Sequence, residues 1–134
     1  MPEVSTYDPK KVTVSVGARV ITGFAADGVV TLTHNEDAVT PSVGAKGDVA
    51  YSENANNSGN AALPLMSTSS SLAYLREICA KRRPVRFSVS DVNDADAIQV
   101  SEENCRILKM PDTPRSKDPT TVTVNVYIPD LNYR

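Results

Sequence analysis

Apolar and polar residues alternate along much of this chain, and the alternation predicts a protein built mainly of β-strands. KVTVSV places Val12, Val14 and Val16 on one side of a strand and polar residues on the other. TVTVNVYI, near the C-terminus, repeats the pattern from Val122 to Ile128. Further strands are predicted within ARVITGF, VVTLTHN, GDVAYSEN, AALPLM, PVRFSVSDV and AIQVSEENCRILKM.

Turn residues between these stretches predict how the strands are connected. Gly17 and Ala18 suit a turn between the first strand and an antiparallel partner, and Ala-Ala-Asp-Gly at 25–28 predicts a tight hairpin turn. NNSGN is typical of another turn, and PDTPRSKDP of a surface loop. Pro64 cannot donate a ladder hydrogen bond, so AALPLM is expected at a sheet edge or to end there.

One segment, SSSLAYLREICAKRR, has the spacing of a helix. Its apolar residues Leu72, Leu75, Ile78 and Cys79 fall on one face. Serine and threonine residues at 68–71 offer N-cap oxygens, basic residues suit the C-terminal end, and Pro84 ends the helix. The predicted fold is therefore mainly β, an antiparallel sandwich or barrel with one packed α-helix, forming a single domain over residues 1–134.

A polar insert at about 35–48 interrupts the strand pattern, and it is longer than the usual connection of about 4–6 residues. It contains Pro41, Gly44 and Gly47 and has little apolar content. The sequence predicts a long loop between two strands here.

Composition narrows the possible functions. The net charge of −2 argues against a general DNA-binding surface, which needs a basic excess. No apolar run approaches the ~20 residues that span a bilayer, so no membrane insertion is expected, and the N-terminus does not resemble a signal peptide. Cys79 and Cys105 are expected to be free thiols more readily than a disulfide.

The chain shows no recognisable set of catalytic residues. His34 is its one histidine, and no nucleophile elbow, paired-histidine helix or Cys-x-x-Cys is present. Gly44 to Asp48 lacks the spacing of a phosphate loop, and Glu36-Asp37 does not fit a calcium loop. We therefore predict no enzyme activity, no metal site and no cofactor.

Charge is unevenly distributed. A basic block contains Lys81, Arg82, Arg83 and Arg86, and an acidic block contains Asp91, Asp94, Asp96, Glu102 and Glu103. Opposite blocks on a small domain favour head-to-tail self-association, with Arg82, Arg83, Arg86, Asp94 and Asp96 as candidate lateral contacts. The competing interpretation is helix capping together with solvated loops.

The ordered series from Tyr7-Asp8-Pro9 through Ile21-Thr22-Gly23-Phe24 to Gly47-Asp48-Val49 resembles a tail-tube protein family of tailed bacteriophages, often contractile-tailed ones. The closing Asp-Leu-Asn-Tyr at 130–133 also resembles that family. The likeness covers most of the chain and is densest over residues 7–59.

This resemblance implies a structural subunit of a phage tail tube. Stacked, hexameric rings would form a hollow conduit for DNA, located in the virion tail and assembled in the host cytoplasm. The implied partners are other copies of the chain and the tail sheath, baseplate and terminator proteins, with DNA passing through the lumen without sequence recognition. The long loop would reach the adjacent ring, through contact residues Glu36, Asp37, Thr40, Pro41, Val43, Gly44, Lys46, Gly47 and Asp48. The alternative is a free β-sandwich binding module that recognises a sugar or peptide through that loop.

Overall fold

The computed structural model describes residues 9–26, 28–92, 98–111 and 120–132. A short 3-10 turn at Pro9–Lys11 leads into nine strands and one α-helix. In chain order these are β1 (Val12–Val16), β2 (Arg19–Val20), β3 (Thr31–His34), β4 (Val39–Val43), β5 (Val49–Glu53), β6 (Gly59–Met66), α1 (Ser71–Lys81), β7 (Val85–Asp91), β8 (Gln99–Cys105) and β9 (Thr121–Ile128).

The strands form three antiparallel sheets, which confirms the predicted fold class. Sheet A has the order β2-β1-β7-β8, and sheet B has the order β3-β6-β9. Among the described residues, strands β4 and β5 pair only with each other and form a separate hairpin.

Alternating side chains of both sheets fill one core. Val122, Val124, Val126 and Ile128 of β9 are all buried, as their spacing predicts. They join Val14, Val16, Phe87, Val89 and Val100 of sheet A and Ala61, Leu63 and Leu65 of β6. Burying these apolar side chains at ~25 cal/mol per Å² supplies most of the stabilisation of the fold.

Helix α1 packs its predicted face against this core. Leu72, Leu75 and Ile78 are buried, and Cys79 is half-buried. Arg82 ends the helix in the left-handed conformation (φ 53°), and its N–H donates to the Cys79 carbonyl over 3.2 Å. Among the described residues, no helix has the length and apolar character to cross a membrane.

The predicted hairpin at residues 25–28 is wrong in its topology. Gly28 N–H does donate to the Ala25 carbonyl (3.4 Å), but β2 lies in sheet A and β3 lies in sheet B. The chain crosses between the sheets here, and Phe24 forms an isolated antiparallel bridge with Leu65. Asp27 lies outside the described residues.

The prediction for Pro64 is also wrong, because β6 is the central strand of sheet B. Pro64 lies opposite Thr123 of β9, and its carbonyl accepts from Ala25 N–H (2.8 Å) on the other side. In an antiparallel strand the N and O of one residue point to the same side. The missing N–H therefore belongs to the side away from β9, where β3 has already ended opposite Ala62.

Candidate assembly surfaces

The segment expected as a long loop folds largely as half of a hairpin. Val39–Val43 is strand β4, paired with β5 so that Pro41 lies opposite Tyr51 and Val43 opposite Val49. Gly44 N–H donates to the Asp48 carbonyl over 2.7 Å, and Gly47 has a φ of 89° that favours glycine. The turn is therefore confined to residues 44–48, and Lys46 lies at its tip.

The β4–β5 hairpin has two chemically different faces. One face carries apolar side chains that are largely exposed: Val43 is 68% exposed, Val49 51% and Tyr51 71%. The opposite face carries Thr40, Ser42, Ala50 and Ser52. A two-stranded hairpin is only marginally stable alone in water, and an exposed apolar row is typical of a surface that another molecule covers.

Hydrogen bonds at the hairpin root fix the two legs to each other. Glu36 Oε2 accepts from Asn54 Nδ2 and from Asn56 Nδ2, each over 3.0 Å. These bonds, with Asn54 the larger effect, hold the pKa of the Glu36 carboxyl below its ordinary value. Glu36 is thus a root residue, and Asp37 lies beside it, exposed at the start of the hairpin.

A second group of contacts ties the root to the end of the described chain, and we call it the C-terminal clamp: Asn57 with Asp130, Leu131 and Asn132. Asn57 Nδ2 donates to Asp130 Oδ1 (2.7 Å), the Leu131 carbonyl (3.1 Å) and Asn132 Oδ1 (3.2 Å). Leu131 N–H donates back to the Asn57 carbonyl over 2.9 Å. His34 Nε2 lies 3.0 Å from the Leu131 carbonyl, so the clamp reaches both legs of the hairpin.

In the part of the chain that the structure describes, one edge of strand β9 is paired only at Tyr127, and we call it the free edge of β9. Tyr127 exchanges both backbone hydrogen bonds with Arg106, at 3.1 and 2.8 Å, on the side away from β6. Alternation along the strand directs the backbone groups of Thr121, Thr123 and Asn125 to that same side. None of the described residues forms a backbone hydrogen bond with them there. Such an edge is a template for pairing with another chain.

The outward face of sheet B carries no charge among its described residues. The outward side chains are Thr31, Thr33, Asn60, Ala62, Pro64, Met66, Thr121, Thr123, Asn125 and Tyr127. Asn60 and Asn125 hydrogen-bond across the strands over 3.2 Å. The face itself offers hydroxyl and amide groups, and Lys109 borders it in a groove lined by Asn60, Asn125 and Tyr127.

The described residues of the two charge blocks make contacts within the subunit, and their proposed lateral role stays a prediction. Lys81 is paired with Glu77 on the same helix (2.7 Å), while Arg82 and Arg83 are exposed at the helix end. Arg86 donates to Ser101 Oγ over 2.7 and 3.0 Å and lines a groove with acidic residues. That groove holds Glu102, Glu103, Asn104 and Asp130 beside it. Asp94 and Asp96 lie outside the described residues.

Sequence reasoning missed another exposed surface, formed after β8, which we call the Leu108 surface: Arg82, Arg106, Leu108 and Lys109. Leu108 is 70% exposed and borders a groove lined by Arg82, Arg106 and Ile107. On its other side, Lys109 and Pro111 line a groove with Asn60, Asn125 and Tyr127 of the outward face of sheet B. Arg106 Nη2 donates to the Arg82 carbonyl over 2.9 Å. No described Asp or Glu lines either groove. The alternation ends at Cys105, so periodicity could not show which side of Leu108 faces solvent.

The structure places the two cysteines as free thiols in or beside the core. Both are free thiols, as expected, and Cys105 is fully buried. Burial, with a smaller contribution from the Glu102 charge and against a hydrogen bond from the Phe87 backbone, raises the pKa of the Cys105 thiol to about 11. The Cys105 thiol is therefore protonated at neutral pH in this buried site. The described residues contain no group of His, Cys, Asp and Glu placed to hold a metal ion.

Comparison with solved structures gives full-length matches at low identity. The anti-feeding prophage cap, described as a tube terminating cap, is 9% identical with a TM-score of 0.52 and covers 99% of this chain and 95% of that chain. The sheath/tube terminator of an extracellular contractile injection system, in the extended state, is 12% identical with a TM-score of 0.54, covering 100% and 98%.

A third match is the sheath-tube complex of that type of system, 12% identical with a TM-score of 0.52 over 92% of this chain and 88% of that chain. No protein-family model and no curated protein matches the chain. At these identities the matches show a shared fold, that of structural components of contractile, tail-like particles.

Proposed function

We propose that this protein is a structural ring subunit of a tail-type tube, in which stacked rings enclose a conduit. The free edge of β9 carries the proposal. Its backbone groups, which pair with none of the described residues beyond Tyr127, would continue sheet B into a neighbouring copy, and closure into a ring would leave no edge exposed. The full-length fold match to tube and terminator proteins supports the same role.

We place the outward face of sheet B on the lumen. Its ten outward side chains include no charged residue, whereas the outward side of sheet A carries Arg86. A basic wall would hold the phosphates of DNA and slow its passage, whereas an uncharged wall would let DNA slide without sequence recognition. From the family resemblance, the same proposal includes rings of six copies together with a surrounding sheath and a baseplate.

A terminating ring is the second candidate, because two of the three solved structures described above are terminators. A tube ring must be covered on both of its stacking faces, whereas a terminator stops growth on one face. Electron microscopy of the purified protein separates the two: long tubes indicate a tube subunit, and single or paired rings at every concentration indicate a terminator.

The test of the β9 edge is Thr123→Pro compared with Thr123→Val. Thr123 N–H points to the free edge and does not pair with β6, so proline removes an edge donor and no ladder bond. We expect Thr123→Val to form rings and Thr123→Pro to remain monomeric with an unchanged circular dichroism spectrum. A second variant, Thr121→Lys with Thr123→Lys, blocks the edge by charge in case proline disturbs folding.

Rings formed by both edge-blocking variants would contradict the proposed ring contact. A wild-type protein that stays monomeric at all concentrations would contradict the proposed function altogether. If that monomer bound a sugar or a peptide, the alternative binding module would be supported. Tight duplex binding by assembled protein at physiological salt would contradict the placement of sheet B on the lumen.

A further inference from the structure

We infer that the apolar face of the β4–β5 hairpin docks on the Leu108 surface of a second copy. The inference rests on the proposed function and names the receptor for the hairpin. It begins from Tyr51 and Leu108, whose side chains are 71% and 70% exposed in the same chain. Neither side chain is covered by the described part of its own subunit, so both are available for a contact between two copies.

The two surfaces match in their apolar content. Val43, Val49 and Tyr51 form a row along one side of the hairpin. Leu108 borders the groove lined by Arg82, Arg106 and Ile107, on the side away from the outward face of sheet B. A hairpin side chain placed in that groove beside Leu108 would remove apolar area from water on both partners.

The two surfaces also match in charge. From Glu36 to Glu53 the hairpin carries four carboxylates, those of Glu36, Asp37, Asp48 and Glu53, against the single ammonium of Lys46, a net charge of −3. The Leu108 surface carries Arg82, Arg106 and Lys109, and no described acidic residue lines its grooves. Complementary charge would set the orientation of the docked hairpin, and apolar burial would supply most of the affinity.

Hydrogen bonds order the hairpin root within a single subunit, before any docking. The Asn54 and Asn56 bonds to Glu36 join its legs, and the C-terminal clamp fixes its root to the sandwich. A hairpin that is already ordered loses less conformational entropy on binding than a flexible loop would. The hairpin would therefore meet the Leu108 surface as a preformed element.

The direct test is cross-linking of full-length protein with Cys79 replaced by serine and buried Cys105 retained. Tyr51→Cys together with Leu108→Cys should give, under mild oxidation of assembled protein, a ladder of dimers, trimers and larger species on a denaturing gel. Tyr51→Cys alone should give at most dimers. The matched control is Tyr51→Cys with Val92→Cys, because Val92 is also exposed, at 60%, but lies outside the Leu108 surface.

A second measurement follows assembly without cross-linking. Leu108→Asp should raise the protein concentration needed for stacking by about tenfold or more, since losing about 1.4 kcal/mol corresponds to a factor of ten. Val92→Asp should leave it unchanged. If wild-type protein stacks but the double-cysteine variant gives no ladder and Leu108→Asp stacks normally, this docking is wrong while the proposed function stands. If wild-type protein forms no rings, both fall.

Discussion

Leu131 lies directly over Gly59, so closely that a side chain at residue 59 has no space. A Cβ added there would lie 2.9 Å from Leu131 Cβ and 3.0 Å from the Thr33 carbonyl oxygen, and would also meet Leu131 Cδ2. Leu131 is 1% exposed and Gly59 begins the central strand of sheet B. The end of the described chain is thus packed into a notch at the point where the hairpin joins the sandwich.

This packing predicts that Gly59→Ala destabilises the protein by about 1–3 kcal/mol, the usual cost of overpacking a filled site. The measurement is the free energy of unfolding from urea titration. Gly44→Ala is the matched control, because its Cβ would lie at ordinary distances, 3.7 Å from the Asp48 carbonyl oxygen and 4.0 Å from Asp48 Cβ. Equal stability of the two variants would mean that the Leu131 segment can shift without loss.

Shortening the hairpin should separate folding from stacking. Removing residues 41–51 and joining Thr40 to Ser52 through Asn-Gly keeps a paired position and a favoured two-residue turn. Because the removed side chains are exposed, the free energy of unfolding should change by less than about 1 kcal/mol. Rings should still form, but they should not stack into tubes. Loss of the folded state would show that the hairpin contributes to the core.

The buried thiol predicts a pH dependence of stability. Because the pKa of Cys105 is raised from 9.0 to about 11 in the folded chain, the unfolded chain releases its proton first as pH rises. The contribution of the neutral thiol to stability is fully present below pH 9 and is lost between about pH 9 and 11. Urea midpoints measured across that range should fall more steeply for wild type than for Cys105→Ala. Parallel curves would show that Cys105 does not titrate this way.

The lateral charge proposal can be tested together with hairpin docking, because Arg82 takes part in both. Arg82→Glu with Arg83→Glu should weaken assembly, by about 0.2–1 kcal/mol for each exposed pair lost. Adding Asp94→Lys and Asp96→Lys should partly restore it if the blocks meet laterally. Adding Asp48→Lys and Glu53→Lys should restore it if the hairpin is the partner. If the variant with Arg82→Glu and Arg83→Glu assembles normally at low and high salt, the basic block serves only to cap the helix end.

Local sequence predicts where the strands and the helix of this protein lie along the chain. It predicts less well which strands pair with one another. The alternation of Val122, Val124 and Val126 is enough to place β9, because one face of a strand must be apolar when it covers a core. Pairing is a long-range property, and therefore Pro64 suggested an edge although its N–H side simply faces a position where β3 has ended. Ala-Ala-Asp-Gly has the residues of a hairpin turn, yet its flanking strands enter different sheets.

The candidate site was predictable in part. Polar composition marked residues 36–48 as unusual, but Val39–Val43 and the exposed side of Tyr51 depend on strand register, which composition does not give. The Leu108 surface could not be foreseen, because Arg82 and Arg106 approach each other only through the packing of the helix end against the segment after β8.

The C-terminal clamp depends on the side-chain amide of Asn57, which can be lost by deamidation. An asparagine followed by serine loses its amide when the next backbone nitrogen attacks the side-chain carbonyl. Here that nitrogen, on Ser58, donates to Asn56 Oδ1 over 3.1 Å, and the Asn57 amide is engaged by three acceptors. Folding thus protects the amide. Deamidation would replace this donor with a carboxylate facing Asp130 and two further oxygens. Repulsion between these oxygens would break the C-terminal clamp and release the hairpin root.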